Sequence, residues 1–215
     1  MSFLKSILSA LKPGIVQADT AAPIPGYTHG QASVARAPYS LDDLASLQKA
    51  LLFNDEDVQA LRQSAAILAD QTDAILDVWY GFVASTPELV VFFGNTRTGE
   101  PDPVYLEAVR KRFARWILDT AEANYDQAWL DYQYEIGLRH SKFKKNKTDG
   151  AQSTAQVNFR YIPALTIPIT TTLKPFLAKH GASAAEVEKI HAAWVKSVLL
   201  QSILWSQPYI RDGEF

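Results

Sequence analysis

The chemistry this chain could do is concentrated on one histidine. Within DQAWLDYQYEIGLRHSKFKKNK, residues 126–147, a helical reading puts Trp129, Tyr132, Ile136, His140 and Phe143 at spacings of three, four, four and three. Those spacings stack the five side chains along one face. An imidazole closing such an aromatic and aliphatic stripe can offer a neutral nitrogen to a metal or a metal cofactor, and it can equally be an ordinary core histidine. Asp126 is placed to cap the helix, and Lys142, Lys144, Lys145 and Lys147 suit its negative end, so the helix is expected to stop just after His140. Glu135 and Arg139, four apart on another side, are expected to form an exposed ion pair.

The other three histidines offer less. His29 lies in a Pro- and Gly-rich stretch and is expected to be solvated, His180 precedes a glycine at a helix end and is expected to be exposed, and His191 borders a mixed face. Phosphate-loop, dinucleotide, zinc-protease and nucleophile-elbow patterns are absent, so those chemistries have no local support. Arg110 to Phe113, Arg-Lys-Arg-Phe, reads as a solvated turn or as a clamp for one acidic group of a ligand.

Composition narrows the field further. The chain has 215 residues, 47% of them hydrophobic and 11% aromatic, with a formal charge of -2. That balance argues against nucleic acid as the main partner. The absence of cysteine excludes disulfides, cysteine nucleophiles and thiolate ligation of the chain's own. No apolar run reaches the ~20 residues of a membrane span, and a cytoplasmic location is expected. The opening residues place Phe3, Leu4, Ile7, Leu8 and Leu11 on one helical face interrupted by Lys5, which reads as a flexible tail or a short helix.

The elements that must position His140 are helices throughout. Residues 13–38 should be an irregular arm, followed by a capped helix to Leu52, a second capped by Asn54 to Asp57, a third over 71–84 carrying Trp79 and Tyr80, and a short piece after Pro87. Pro103 opens a helix to Glu122 with Tyr105, Val109, Phe113, Trp116 and Ile117 inward. A helix from about Ala155 to Lys179, kinked or broken by Pro163, Pro168 and Pro175, precedes a last helix through Ser206. That last helix is apolar on more than one side, so it is expected to be sandwiched or to pair with another chain. Unequal helices and variable loops suit irregular crossings around a buried ligand better than a four-helix bundle.

The wording of five segments goes beyond periodicity. IPGYTHG at 24–30, ILDVWYGFV at 75–83, YLEAVRKRFARWILDT at 105–120, YDQAWLDYQYEIGLRH at 125–140 and HAAWVKSVLLQSILWSQPYI at 191–210 closely resemble the protoglobins, single-domain haem proteins related to globin-coupled sensor domains. The resemblance covers residues 24–215 as one domain, with 1–23 left as an N-terminal extension. It implies an all-α, expanded globin fold with an N-terminal arm, a pre-A helix at about 41–52 and no ordinary D helix. It also implies haem b as cofactor, with His140 as the proximal iron ligand.

The same resemblance assigns further residues. Trp79 and Tyr80 match the distal pair of the B helix, Phe113 a distal residue of the E helix, and Leu165 and Ile169 distal residues of the G helix. Some relatives carry a bulky phenylalanine at the position of Leu165, which would make this pocket wider. Arg112 matches a residue suited to a haem propionate, and Tyr27 lies on the arm that covers the propionates. Reversible binding of oxygen, carbon monoxide or nitric oxide, as carrier or sensor, is the implied function. Haem-dependent redox catalysis, by nitric oxide dioxygenation, nitrite reduction or peroxide chemistry, is the alternative, and such a pocket is also open to carbene transfer. A homodimer through the G and H helices is expected, and a redox or signalling partner is open.

Overall fold

The computed structural model describes residues 23–211 and 213–215, so the expected short helix near the N-terminus lies outside the described residues. The chain runs through α1 (Leu41–Ala50), α2 (Asp55–Leu68), α3 (Thr72–Ser85), α4 (Pro87–Val90), α5 (Pro103–Glu122), α6 (Gln127–His140), α7 (Tyr161–Ala164), α8 (Thr166–Leu177) and α9 (Ala184–Ser206). Single 3₁₀ turns follow α8 and α9. No strand occurs among the described residues, where extended pairing is limited to one bridge between Gly94 and Pro101. No helix among them is long and apolar enough to cross a membrane.

Local chemistry explains most helix starts. Ser40 with Asp43, Asn54 with Asp57 and Ser183 with Glu186 form complete capping boxes, each satisfying backbone N–H groups that the first turn leaves free. Asp102 and Asp126 cap α5 and α6 from their side chains. Helix α6 stops at His140, as expected, and its last carbonyl accepts from the Val157 amide at 2.8 Å. A loop thus completes the helix that carries the histidine.

The prolines shorten the next helical region more than expected. It begins at Tyr161 rather than near Ala155 and breaks at Leu165. Pro168 is the third residue of α8, where a missing N–H costs nothing because the first turn has no intrahelical acceptor for it. Only Pro175 sits in the helix interior.

Helix α9 is the spine of the molecule, lying against α8, α2 and α6. Trp194 and Val198 enter the main core with Leu61, Leu76, Ile117 and Leu173. Leu200 and Leu204 enter a second cluster with Tyr39, Leu44, Trp129 and Leu130. The sandwiched alternative therefore accounts for apolar surface on two sides of this helix. Burying a side chain of Leu or Trp size contributes roughly 1.5–3 kcal/mol each, so two-sided burial is what holds α1 and α6 to the rest.

Candidate functional site

A cavity of about 230 Å³ opens between α3, α5, α6 and α8, with α9 and the 141–160 loop closing it. Helix α3 turns Trp79 and Tyr80 inward together, because consecutive residues lie about 100° apart and both flanks of this helix are covered. Helix α5 brings Phe113, whose ring meets Trp79 edge-on at 5.8 Å between centroids. Leu165, at the break between α7 and α8, and Ile169 of α8 add to the lining, and α6 supplies Ile136 and His140. These expected positions come together on one wall or another of the same space.

The imidazole of His140 is oriented by its own helix. Nδ1 lies 2.8 Å from the Ile136 carbonyl oxygen. A carbonyl can only accept, so Nδ1 carries the proton and Nε2 keeps a free lone pair. Burial lowers the pKa of His140 below its ordinary value, against the opposing pull of that backbone hydrogen bond, and the Lys145 and Arg139 charges lower it further. The ring is therefore neutral at physiological pH. On the other side, the Tyr80 hydroxyl is buried without a hydrogen-bond partner, and burial raises its pKa strongly, so it stays protonated and able to donate.

The expected polar residues behave differently. The Arg112 guanidinium lines the cavity but is already engaged, donating to both carboxylate oxygens of Asp149 at 2.9 and 2.6 Å and to the Pro25 carbonyl at 2.8 Å. Tyr27 does not line the cavity. Its hydroxyl donates to Asp119 at 2.8 Å, and its ring meets the cavity residue Tyr132 edge-on at 5.3 Å. The arm is thus strapped over α5 and α6 by the same arginine side that borders the cavity.

Several expectations need correction. Glu135 and Arg139 do pair, at 2.9 Å, but both side chains are largely buried, and Lys144 joins them at 2.6 Å while Arg139 also donates to Thr28 of the arm. Packing of the arm removed the water this pair was expected to face. Arg110 is likewise buried, bridging Asp73 and Asp77 of α3 rather than forming a solvated turn. His29 is not freely solvated, since its Nε2 is buried against Tyr27 and Tyr132. Phe143 falls beyond the helix end and is 48% exposed, and Trp129 faces the second cluster, so Tyr132, Ile136 and His140 are the part of the stripe that reaches the cavity.

Other cavity residues had no distinctive signal. Lys145 turns inward from a lysine cluster that reads as surface, and its ammonium donates to the Phe92 carbonyl at 2.9 Å and the Tyr105 hydroxyl at 3.0 Å. Burial pushes its pKa down to about 8. Thr166 contributes a second buried hydroxyl without a partner. Trp205 stacks on His140 with ring planes 10° apart and centroids separated by 5.4 Å. It is one apolar residue among many in α9, and only its place beside His140 distinguishes it.

The comparisons with known proteins bear on this geometry directly. No curated protein matches the chain. The family model described as Protoglobin matches residues 40–215, which carry α1 through α9 and every wall of the cavity. That family implies haem-based gas binding in general terms. On this match over most of its length, and with an all-helical globin-like fold, the chain belongs to the protoglobin family.

Proposed function

We propose that this chain binds haem b in the cavity through His140 and holds diatomic gases (oxygen, carbon monoxide or nitric oxide) reversibly, as a carrier or sensor. The observation that carries the reading is the tautomer of His140, a neutral buried imidazole whose Nδ1–H is tied to Ile136 and whose Nε2 lone pair remains available. Haem, when bound to one such imidazole, supplies an iron with a further position for a small ligand. Trp79, Phe113, Leu165 and Ile169 provide apolar walls that exclude water around a ligand of that size. Tyr80 offers the hydrogen-bond donor that bound oxygen would use, worth about 1 kcal/mol net for a neutral contact. Arg112 and Arg139 line the cavity, and their guanidinium groups, paired here with Asp149 and Glu135, would have to exchange partners to meet the carboxylates of a porphyrin.

The test is a haem titration followed by anaerobic reduction, carbon monoxide and air. One haem per chain, a ferrous spectrum that shifts with carbon monoxide, and loss of that spectrum in His140→Ala are the expected results. Failure of the wild-type chain to take up stoichiometric haem would leave His140 as a core histidine and end the reading.

A further inference from the structure

A hydrogen bond along one direction does not fix an imidazole. The terminal torsion of histidine is broad, so the Ile136 contact leaves the ring free to rock about the Nδ1–H axis. A second restraint is present in Trp205, whose indole lies nearly parallel to the His140 ring.

Trp205 is itself held on three sides. Its Nε1–H donates to the Gln133 side-chain oxygen at 2.7 Å, and Gln133 is 2% exposed. Its ring packs against Trp116 at 5.9 Å, which in turn is locked by a 2.7 Å bond from its own indole N–H to Gln201. Its backbone lies directly on Gly137. Gln133, Gly137 and His140 are spaced i, i+4 and i+7, so a single face of α6 supplies the acceptor for the indole, the space for its backbone and the ring it stacks on.

We propose that Trp205 is the positioning residue for His140, holding the imidazole plane and its Nδ1–H tautomer so that Nε2 faces the cavity in one orientation. The functional meaning rests on His140 being the iron ligand, but the geometric role does not. Without the indole, the ring gains freedom to tilt, and the Nε2–H form becomes accessible. Gln133 acts one step further out by fixing the indole.

The experiment compares wild type, Trp205→Leu, Trp205→Phe and Gln133→Leu by two readouts. In the haem-free protein, ¹⁵N and ¹H NMR of the His140 ring reports tautomer and ring-current shift. In the haem-supplemented ferrous protein, resonance Raman reports the iron–histidine stretch. Wild type should show one tautomer with upfield-shifted ring protons and a narrow stretch. Trp205→Leu should mix tautomers, lose the upfield shift, and broaden and displace the stretch, whereas Trp205→Phe restores most of each. A folded Trp205→Leu protein with wild-type signals in both readouts would overturn the proposal. If that variant does not fold, Gln133→Leu decides, because it removes no ring and only frees the indole: partial loss of the single tautomer supports the proposal and unchanged His140 signals sink it. Should wild type take up no haem, the haem reading fails and the NMR comparison alone decides the role of Trp205.

Discussion

A Cβ placed on Gly137 would meet the carbonyl oxygen of Trp205 at 2.9 Å and its Cα at 3.0 Å. Both neighbours are backbone, so neither can swing aside. Helix propensity alone predicts that Gly137→Ala stabilises α6 by about 1 kcal/mol. The contact with α9 predicts the reverse, since overpacking of this kind costs about 1–3 kcal/mol. Urea unfolding should show a net loss of up to roughly 2 kcal/mol, together with weaker haem retention. A stabilised Gly137→Ala protein would mean that the two helices separate freely.

Tyr80 carries a polar group that the ligand-free protein does not use. Removing it in Tyr80→Phe leaves no abandoned partner, so the haem-free protein should keep its stability to within about 0.5 kcal/mol or gain slightly. Oxygen dissociation, measured by stopped flow, should accelerate about fivefold, the equivalent of ~1 kcal/mol. An unchanged rate would show that the hydroxyl does not touch the gas.

The buried ammonium of Lys145 makes a pH-dependent contribution. Burial brings its pKa from the usual 10.5 down to about 8, so the folded state binds this proton less tightly than the unfolded state. The sign follows from linkage: the lysine contributes most above its unfolded value, and that contribution is lost as pH falls toward 8. Stability of wild type relative to Lys145→Met should therefore rise between pH 8 and 10.5, by up to about 3 kcal/mol at ~1.4 kcal/mol per unit. A pH-independent difference would place the ammonium in contact with water.

Arg112 and Asp149 form a largely buried, two-point ion pair that also holds the arm at Pro25. Removing one partner strands the other, so Arg112→Leu should cost about 3 kcal/mol, and Arg112→Leu with Asp149→Leu should recover much of it. Limited proteolysis within residues 23–38 should accelerate in the single variant as the strap loosens. Equal losses in single and double variants would mean that Asp149 is not left stranded when Arg112 is removed.

Much of this architecture is written locally. Capping boxes at Ser40, Asn54 and Ser183, the proline that opens α5 and the cap at Asp126 are short-range signals, and each lies where its helix begins. The inward turn of Trp79, Tyr80, Phe113 and His140 followed from helical period and from the wording of a few segments. The start of α7 did not, because three prolines allow several ways of breaking one apolar stretch.

Burial of charge was the least legible feature. Glu135–Arg139, Arg110 with its two aspartates, and Lys145 all have the residue types and spacings of a solvated surface, yet each is covered by a segment distant in the chain. By itself the sequence determined that this is a helical haem-protein relative with one histidine at the end of an apolar face. The tertiary structure alone decided which charges lie beneath the arm and which indole stacks on that histidine, because helical period sets the direction of a side chain but not the partner that arrives from elsewhere to meet it.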